Sequence, residues 1–113
     1  MTTPDPEAYS LDINDPDDAE LIEYFLGELP DRVDSLNTAV NNADIEELGR
    51  LSHQLKGAAP GFGFDKIGSV AGEIEGQIRA MGDTKKDIDS IRADVDGLVA
   101  LCQSYISTNP FAS

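Results

Sequence analysis

His53 is the only histidine in this 113-residue chain, and the residues around it are those whose types and spacing could do chemistry. It stands in the run Ser52-His53-Gln54-Leu55-Lys56-Gly57-Ala58-Ala59-Pro60-Gly61-Phe62-Gly63, with a lysine three positions on, a glycine four on and another ten on. At the chain's own residue frequencies, that combination would follow a given histidine by chance roughly once in several thousand trials. A neutral imidazole is a nucleophile, and histidine ordinarily titrates low enough for the neutral form to be available at physiological pH. An ammonium group one helical turn away can reach an anion attached to the ring and neutralise its oxygens. With one histidine, one cysteine and carboxylates scattered along the chain, no metal site and no cofactor are expected. A histidine-based hydrolase would need further acids and bases gathered in a pocket, and the basic residues beside His53 are too few to form one.

The elements that must position His53 are helical. Leu21, Ile22, Phe25, Leu26, Leu29, Val33, Leu36 and Val40 recur at three- and four-residue steps, which predicts a long amphipathic helix from about Asp18 to Asn41. Pro30 is expected to kink or divide it, because proline lacks the amide hydrogen and crowds the preceding turn. After a turn over Asn41 to Asp44, Asp44 can cap a second helix bearing Ile45, Leu48, Leu51 and Leu55, with Glu46 and Glu47 in its first turn. That helix is expected to end near Pro60-Gly61. Asp65 can cap a third, with Ile67, Val70, Ala71, Ile74, Ile78 and Met81 on its stripe and Gly82 as its stop. Ile88, Ile91, Val95, Leu98, Cys102 and Tyr105 predict a fourth from about Asp87 to Ser107, in which Cys102 is a small buried side chain. No segment alternates as a strand would. The expected fold is all-α, an antiparallel up-and-down four-helix bundle, with a short extra helix possible near Pro16 to Glu20. The domain plan is a flexible acidic segment over 1–16, the bundle over 17–108 and a tail over 109–113.

On the second helix the apolar stripe is centred near Leu48 and Leu55, and His53 falls almost opposite it, facing solvent. Its neighbours three and four residues away are Gly49, Arg50, Lys56 and Gly57. Glycine inside a helix costs on the order of 1 kcal/mol relative to alanine, and folding offers no reason to accept that on an exposed face. Access does: Gly57, with Gly49 as a second candidate, leaves room for a partner to close over the ring. Charge agrees with this placement. The chain carries a net charge of −14, which excludes nucleic acid and anionic membranes as partners. Yet no acidic residue lies between Glu47 and Asp65, a window holding Arg50, His53 and Lys56. There is no apolar run long enough to span a bilayer and no signal-peptide pattern at the start, so a soluble cytoplasmic protein is expected.

The spacing from His53 through Lys56 and Gly57 to Gly63 resembles the phosphorylation motif of the histidine-containing phosphotransfer (HPt) domains of two-component phosphorelays. Around it, Ser52 matches the small residue before the histidine, Leu55 the hydrophobic residue two after it, and Ala58-Ala59 the small pair after the glycine. Phe62-Gly63-Phe64 is also similar to the phosphorylated domain of chemotaxis-type histidine kinases. The resemblance covers about Asp17 to Tyr105. It implies that His53 accepts a phosphoryl group from a receiver-domain aspartate and passes it to another response regulator, with Lys56 stabilising phosphoryl charge. Gly49, Arg50, Gly57 and Pro60 would face the partner. It implies receiver domains and a hybrid or chemotaxis-type histidine kinase as partners, with Mg2+ on the partner receiver. With no nucleotide-binding motif, a phosphocarrier without kinase activity of its own is expected, and a monomer. Pro60 departs from the family pattern, removes the bond to the Lys56 carbonyl and leaves the placement of Phe62 open. The alternatives are a non-catalytic helical adaptor and a chemotaxis-kinase-like phosphoacceptor domain excised from a larger protein.

Overall fold

A computed structural model of the chain describes residues 9–81 and 88–111. Four α-helices follow one another: α1 (Pro16–Asn41), α2 (Ile45–Ala58), α3 (Asp65–Met81) and α4 (Asp89–Ser107), with a 3-10 turn over Ala59–Phe62 between α2 and α3. No strand occurs among the described residues. Each helix packs on its two neighbours in the ring α1, α2, α3, α4, and α2 and α3 share the most extensive contact. Short connections between sequence neighbours make them antiparallel, so this is an up-and-down four-helix bundle. None of its described helices is long and apolar enough to cross a membrane.

The core follows from helical periodicity. Ile22, Phe25, Leu26, Leu29, Val33, Leu36 and Val40 of α1, Leu48, Leu51 and Leu55 of α2, Ile67, Ala71, Ile74 and Ile78 of α3, and Ile91, Val95, Leu98 and Tyr105 of α4 are buried together. Cys102 is fully buried among them, and burial pushes its thiol up to about 11. At the start of α2, the Asp44 carboxylate accepts from the Glu47 amide at 3.0 Å, as its capping position predicts.

Several boundaries differ from the sequence reading, each for a local reason. Pro30 does not divide α1, which runs unbroken through it. The proline lies on the solvent side, and Leu26, Leu29 and Val33 pack into the core on either side of the missing hydrogen bond. The extra turn near Pro16 to Glu20 is the first turn of α1 rather than a separate helix, with Pro16 at its start and Asp15 accepting from the Asp17 and Asp18 amides. Leu21 lies outside the buried stripe and is 40% exposed. Asp65 opens α3 from inside its first turn and does not cap it. In the segment expected to be flexible, residues 1–8 lie outside the described residues, but Tyr9 is buried and Leu11 and Ile13 pack against the core. Phe111 of the expected tail also packs there. Gly82 and Asp87 lie outside the described residues.

The 3-10 turn after α2 answers the question raised by Pro60. The proline ends the α-helical ladder, the chain tightens into the turn, and Gly63 reverses it with φ of 91°. The Pro60 ring then rests directly on α3, where a Cβ placed on Gly68 would lie 2.7 Å from its Cγ and 2.9 Å from its Cδ. Neither backbone nor proline ring yields easily. Gly68→Ala is therefore expected to lower the midpoint of thermal unfolding, by the equivalent of about 1–3 kcal/mol for an overpacked contact, as followed by circular dichroism. An unchanged midpoint would show that the turn gives way freely.

Candidate functional site

Burial of Leu48, Leu51 and Leu55 fixes the rotation of α2 and turns His53, Lys56 and Gly57 away from the core. His53 is 65% exposed. The facing surface comes from α3, whose stripe of Ile67, Ala71, Ile74 and Ile78 brings Glu75 to the seam with α2. Small residues let the two helices close: a Cβ on Gly49 would meet Ile78 at 3.5 Å, and one on Gly72 would meet the methylenes of Lys56 at 3.5 Å. Across this seam His53 Nδ1 and Glu75 Oε2 are 2.6 Å apart. Lys56 Nζ donates to Glu75 Oε1 at 3.2 Å, and Arg79, one turn further along α3, donates through Nη2 to Oε2 at 3.2 Å.

Glu75 has only 6% of its side chain exposed, so its charge must be compensated within the protein. Burial alone pushes its carboxyl up, but the hydrogen bonds from Lys56 and His53 and the charges of Arg79 and Lys56 outweigh that effect and hold it below the ordinary carboxylate value. An ionised carboxylate can only accept, so the proton between it and His53 belongs to Nδ1. That fixes the tautomer. In the neutral ring Nε2 then keeps the lone pair, on a ring held in one orientation beside two cations that the same carboxylate also holds.

The structure brings His53 and Lys56 together as expected, but Lys56 is shared with Glu75 and does not stand free beside the ring. Gly57 is open, since a Cβ there would meet nothing within 4 Å. Gly49 is different: it faces Ile78 in the α2–α3 seam and serves packing. Arg50 is turned to Glu47, which accepts from both its Nε and, at 2.7 Å, its Nη2. Pro60 is engaged with Gly68. Sequence reasoning missed Glu75 and Arg79. The signal was present as an acid between Ile74 and Ile78, on the edge of an apolar stripe, with an arginine one turn later. Also missed was the apolar surface next to the 3-10 turn. Tyr24 is 59% exposed and stacks on Phe62 at 5.7 Å, one turn from exposed Leu21. Among the described residues no group of three or more histidines, cysteines and acids is arranged to hold a metal ion.

Residues 20–101 match the family described as the Hpt domain. The chain is similar to the phosphorelay protein LuxU of Vibrio vulnificus strain YJ016 and to that of strain CMCP6. Each is 32% identical over 87 residues, covering 77% of this chain and 75% of the relative. No solved structure matches significantly.

The Glu75 cluster predicts the acid limb of stability. A carboxyl whose folded pKa is depressed stabilises the fold at any pH above its unfolded value and loses that contribution as pH falls through the folded value. Unfolding midpoints of the wild type and of Glu75→Gln, measured from neutrality down into the acid range, should therefore differ at neutral pH and converge on acidification. Curves that stay parallel would mean that the carboxylate charge does not hold the seam.

Proposed function

This chain belongs to the Hpt domain family and is a histidine phosphotransfer protein of a phosphorelay, and from that premise we propose that His53 carries the phosphoryl group. The observation that supports the assignment is the exposed imidazole whose Nδ1 is held by Glu75 while Nε2 is free to act. In the proposed reaction Nε2 attacks the phosphorus of an aspartyl phosphate on a receiver domain. The N–P bond forms as the bond from phosphorus to the aspartate oxygen breaks, and the aspartate leaves as a carboxylate. Positive charge that develops on the ring is met at Nδ1–H by the Glu75 carboxylate, which makes Glu75 a positioning and stabilising group.

Phosphoryl transfer spreads charge over the equatorial oxygens, so placed cations do most of the work available to a protein. Lys56 is proposed to swing from Glu75 towards those oxygens, with Arg79 as the second cation in reach of the same carboxylate. The reverse reaction delivers the group to a second receiver. The carrier is read as a cytoplasmic monomer without kinase activity, and the metal ion needed for transfer is assigned to the partner receiver.

The receiver is proposed to dock over Gly57 and Gly61, where added side chains would meet nothing within 4 Å, and over the exposed apolar side chains of Tyr24 and Leu21 beside Phe62. The neutral to basic window from Leu48 to Phe64, in a chain of net charge −14, lowers the repulsion that a phosphorylated partner would meet beside His53.

Incubation with a phosphorylated cognate receiver should give the wild type an acid-labile, base-stable phosphate. His53→Gln should remain folded by circular dichroism and stay unlabelled. A labelled variant would place the acceptor elsewhere.

Gly57 separates docking from folding, because helix propensity and access predict opposite signs. Gly57→Gln is expected to melt no lower than the wild type, since glycine is the poorer helix former by up to about 1 kcal/mol, while losing most receiver binding and phosphotransfer. Normal transfer by this variant would remove Gly57 from the docking face.

A further inference from the structure

Residues 9–15 form a strap across the end of the bundle. The Ser10 amide donates to the Gly63 carbonyl at 2.8 Å, the Ser10 hydroxyl to Asp65 Oδ1 at 3.2 Å, and the Asp12 amide to Asp18 Oδ2 at 3.0 Å. Leu11 lies so close over Gly63 that a Cβ there would be 3.1 Å from its Cγ. The strap thus grips the one residue that separates Phe62 from Phe64. Those two rings both pack on Phe25, within a continuous line of aromatic contacts. Tyr9, 5% exposed, meets Phe64 edge-on at 5.2 Å. Phe64 meets Phe25 at 4.8 Å, Phe25 stacks on Phe62 at 5.3 Å, and Phe62 stacks on Tyr24 at 5.7 Å.

We propose that the strap is a positioning element for the docking face, with Tyr9 setting the place of Phe62 and Tyr24 through Phe64 and Phe25. The proposal rests on the reading of Tyr24 as a docking residue. Interiors packed at this density pass displacement from ring to ring, because a gap at one end cannot be filled without moving the next side chain. Tyr24 is 59% exposed, with its hydroxyl donating only to Glu28 of its own helix at 3.4 Å, and Phe62 is half-buried, so the packing of both rings comes chiefly from the aromatic contacts among Tyr24, Phe62 and Phe25. The strap's hydrogen bonds and ring contacts go to Gly63, Phe64, Asp65, Tyr105 and the first turn of α1 at Asp17, Asp18 and Ala19, none of which belongs to the Glu75 cluster. Docking and the intrinsic reactivity of His53 are therefore separable. The Tyr9 hydroxyl is buried with no hydrogen-bond partner among the described residues, which assigns the function to the ring.

The test compares wild type, Tyr9→Phe, Tyr9→Ala, Tyr24→Ala and the double alanine variant in two assays. One is transfer from a phosphorylated cognate receiver as a function of concentration. The other is labelling of His53 by phosphoramidate, a small donor that needs no docking face. Tyr9→Ala should raise KM for the receiver by about fivefold, the scale of one lost aromatic contact, with kcat and phosphoramidate labelling within about twofold of wild type. Tyr9→Phe should match the wild type, and the double variant should be no worse than Tyr24→Ala. If Tyr9→Ala does not fold, Tyr9→Leu, which keeps apolar volume but removes the ring, carries the same comparison. Additive effects in the double variant, or equal losses in both assays, would overturn the proposal while leaving the docking face intact. A wild-type KM for Tyr24→Ala would instead remove the docking face itself.

Discussion

One carboxylate organises the functional half of this protein. Glu75 is buried at the seam between α2 and α3, and an ionised acid taken out of water is tolerated only where donors replace its hydration. Three side chains do so, His53 and Lys56 from α2 and Arg79 from α3. The consequence reaches beyond stability. Because the carboxylate needs a proton donor at His53 Nδ1, the electrostatic requirement of a buried acid also sets the tautomer of the proposed nucleophile. Because it holds two cations in reserve, positive charge stands beside the ring before any phosphoryl group arrives. A phosphoryl group on His53 would compete with Glu75 for those cations, so acceptance and release can be balanced within one cluster.

The glycines divide by what surrounds them, although they look alike in sequence. Gly49, Gly68 and Gly72 are close-approach positions where α2, the 3-10 turn and the Lys56 stem press on α3. They make the short distances around Glu75 attainable. Gly57 and Gly61 face open space, and in helical structure that absence of side chains has no packing rationale. The proposed receiver docking supplies one at Gly57 and Gly61, whereas Gly27, Gly76 and Gly97 are equally open and are given no such role. A single residue type thus stands in two kinds of place, and only the surroundings distinguish them.

The 3-10 turn joins the site to the rest of the bundle. Pro60 stops α2 one turn after Lys56, so the chain cannot carry its helical register past the site. The tightened turn sends Phe62 towards Tyr24 and Phe64 towards Tyr9 and Tyr105. The proline that ends α2 therefore coincides with the point where the aromatic line passes between core and surface. Tyr9, in a stretch that composition marks as a polar lead-in, is held because its ring packs against Phe64 and Tyr105. Burial of that side chain outweighed the polar character of its neighbours.

By itself the sequence determined the periodic elements and pointed to His53 as the candidate for reaction. Each helix buries one stripe, and a stripe repeating at three and four residues admits no other regular structure, so the four helices and the outward direction of His53 were legible from spacing alone. Local capping chemistry was legible at Asp44 for the same reason, since it involves only near neighbours. What the tertiary structure decided lies between elements. Glu75 stands 22 positions from His53, and no local rule says which of the chain's 22 acids will face the ring. The partnering of Arg50 with Glu47, of Gly49 with Ile78 and of Pro60 with Gly68 depended in the same way on rotation and register of packed helices. Periodicity is a property of one helix, whereas a charge network and an aromatic line are properties of several helices brought together.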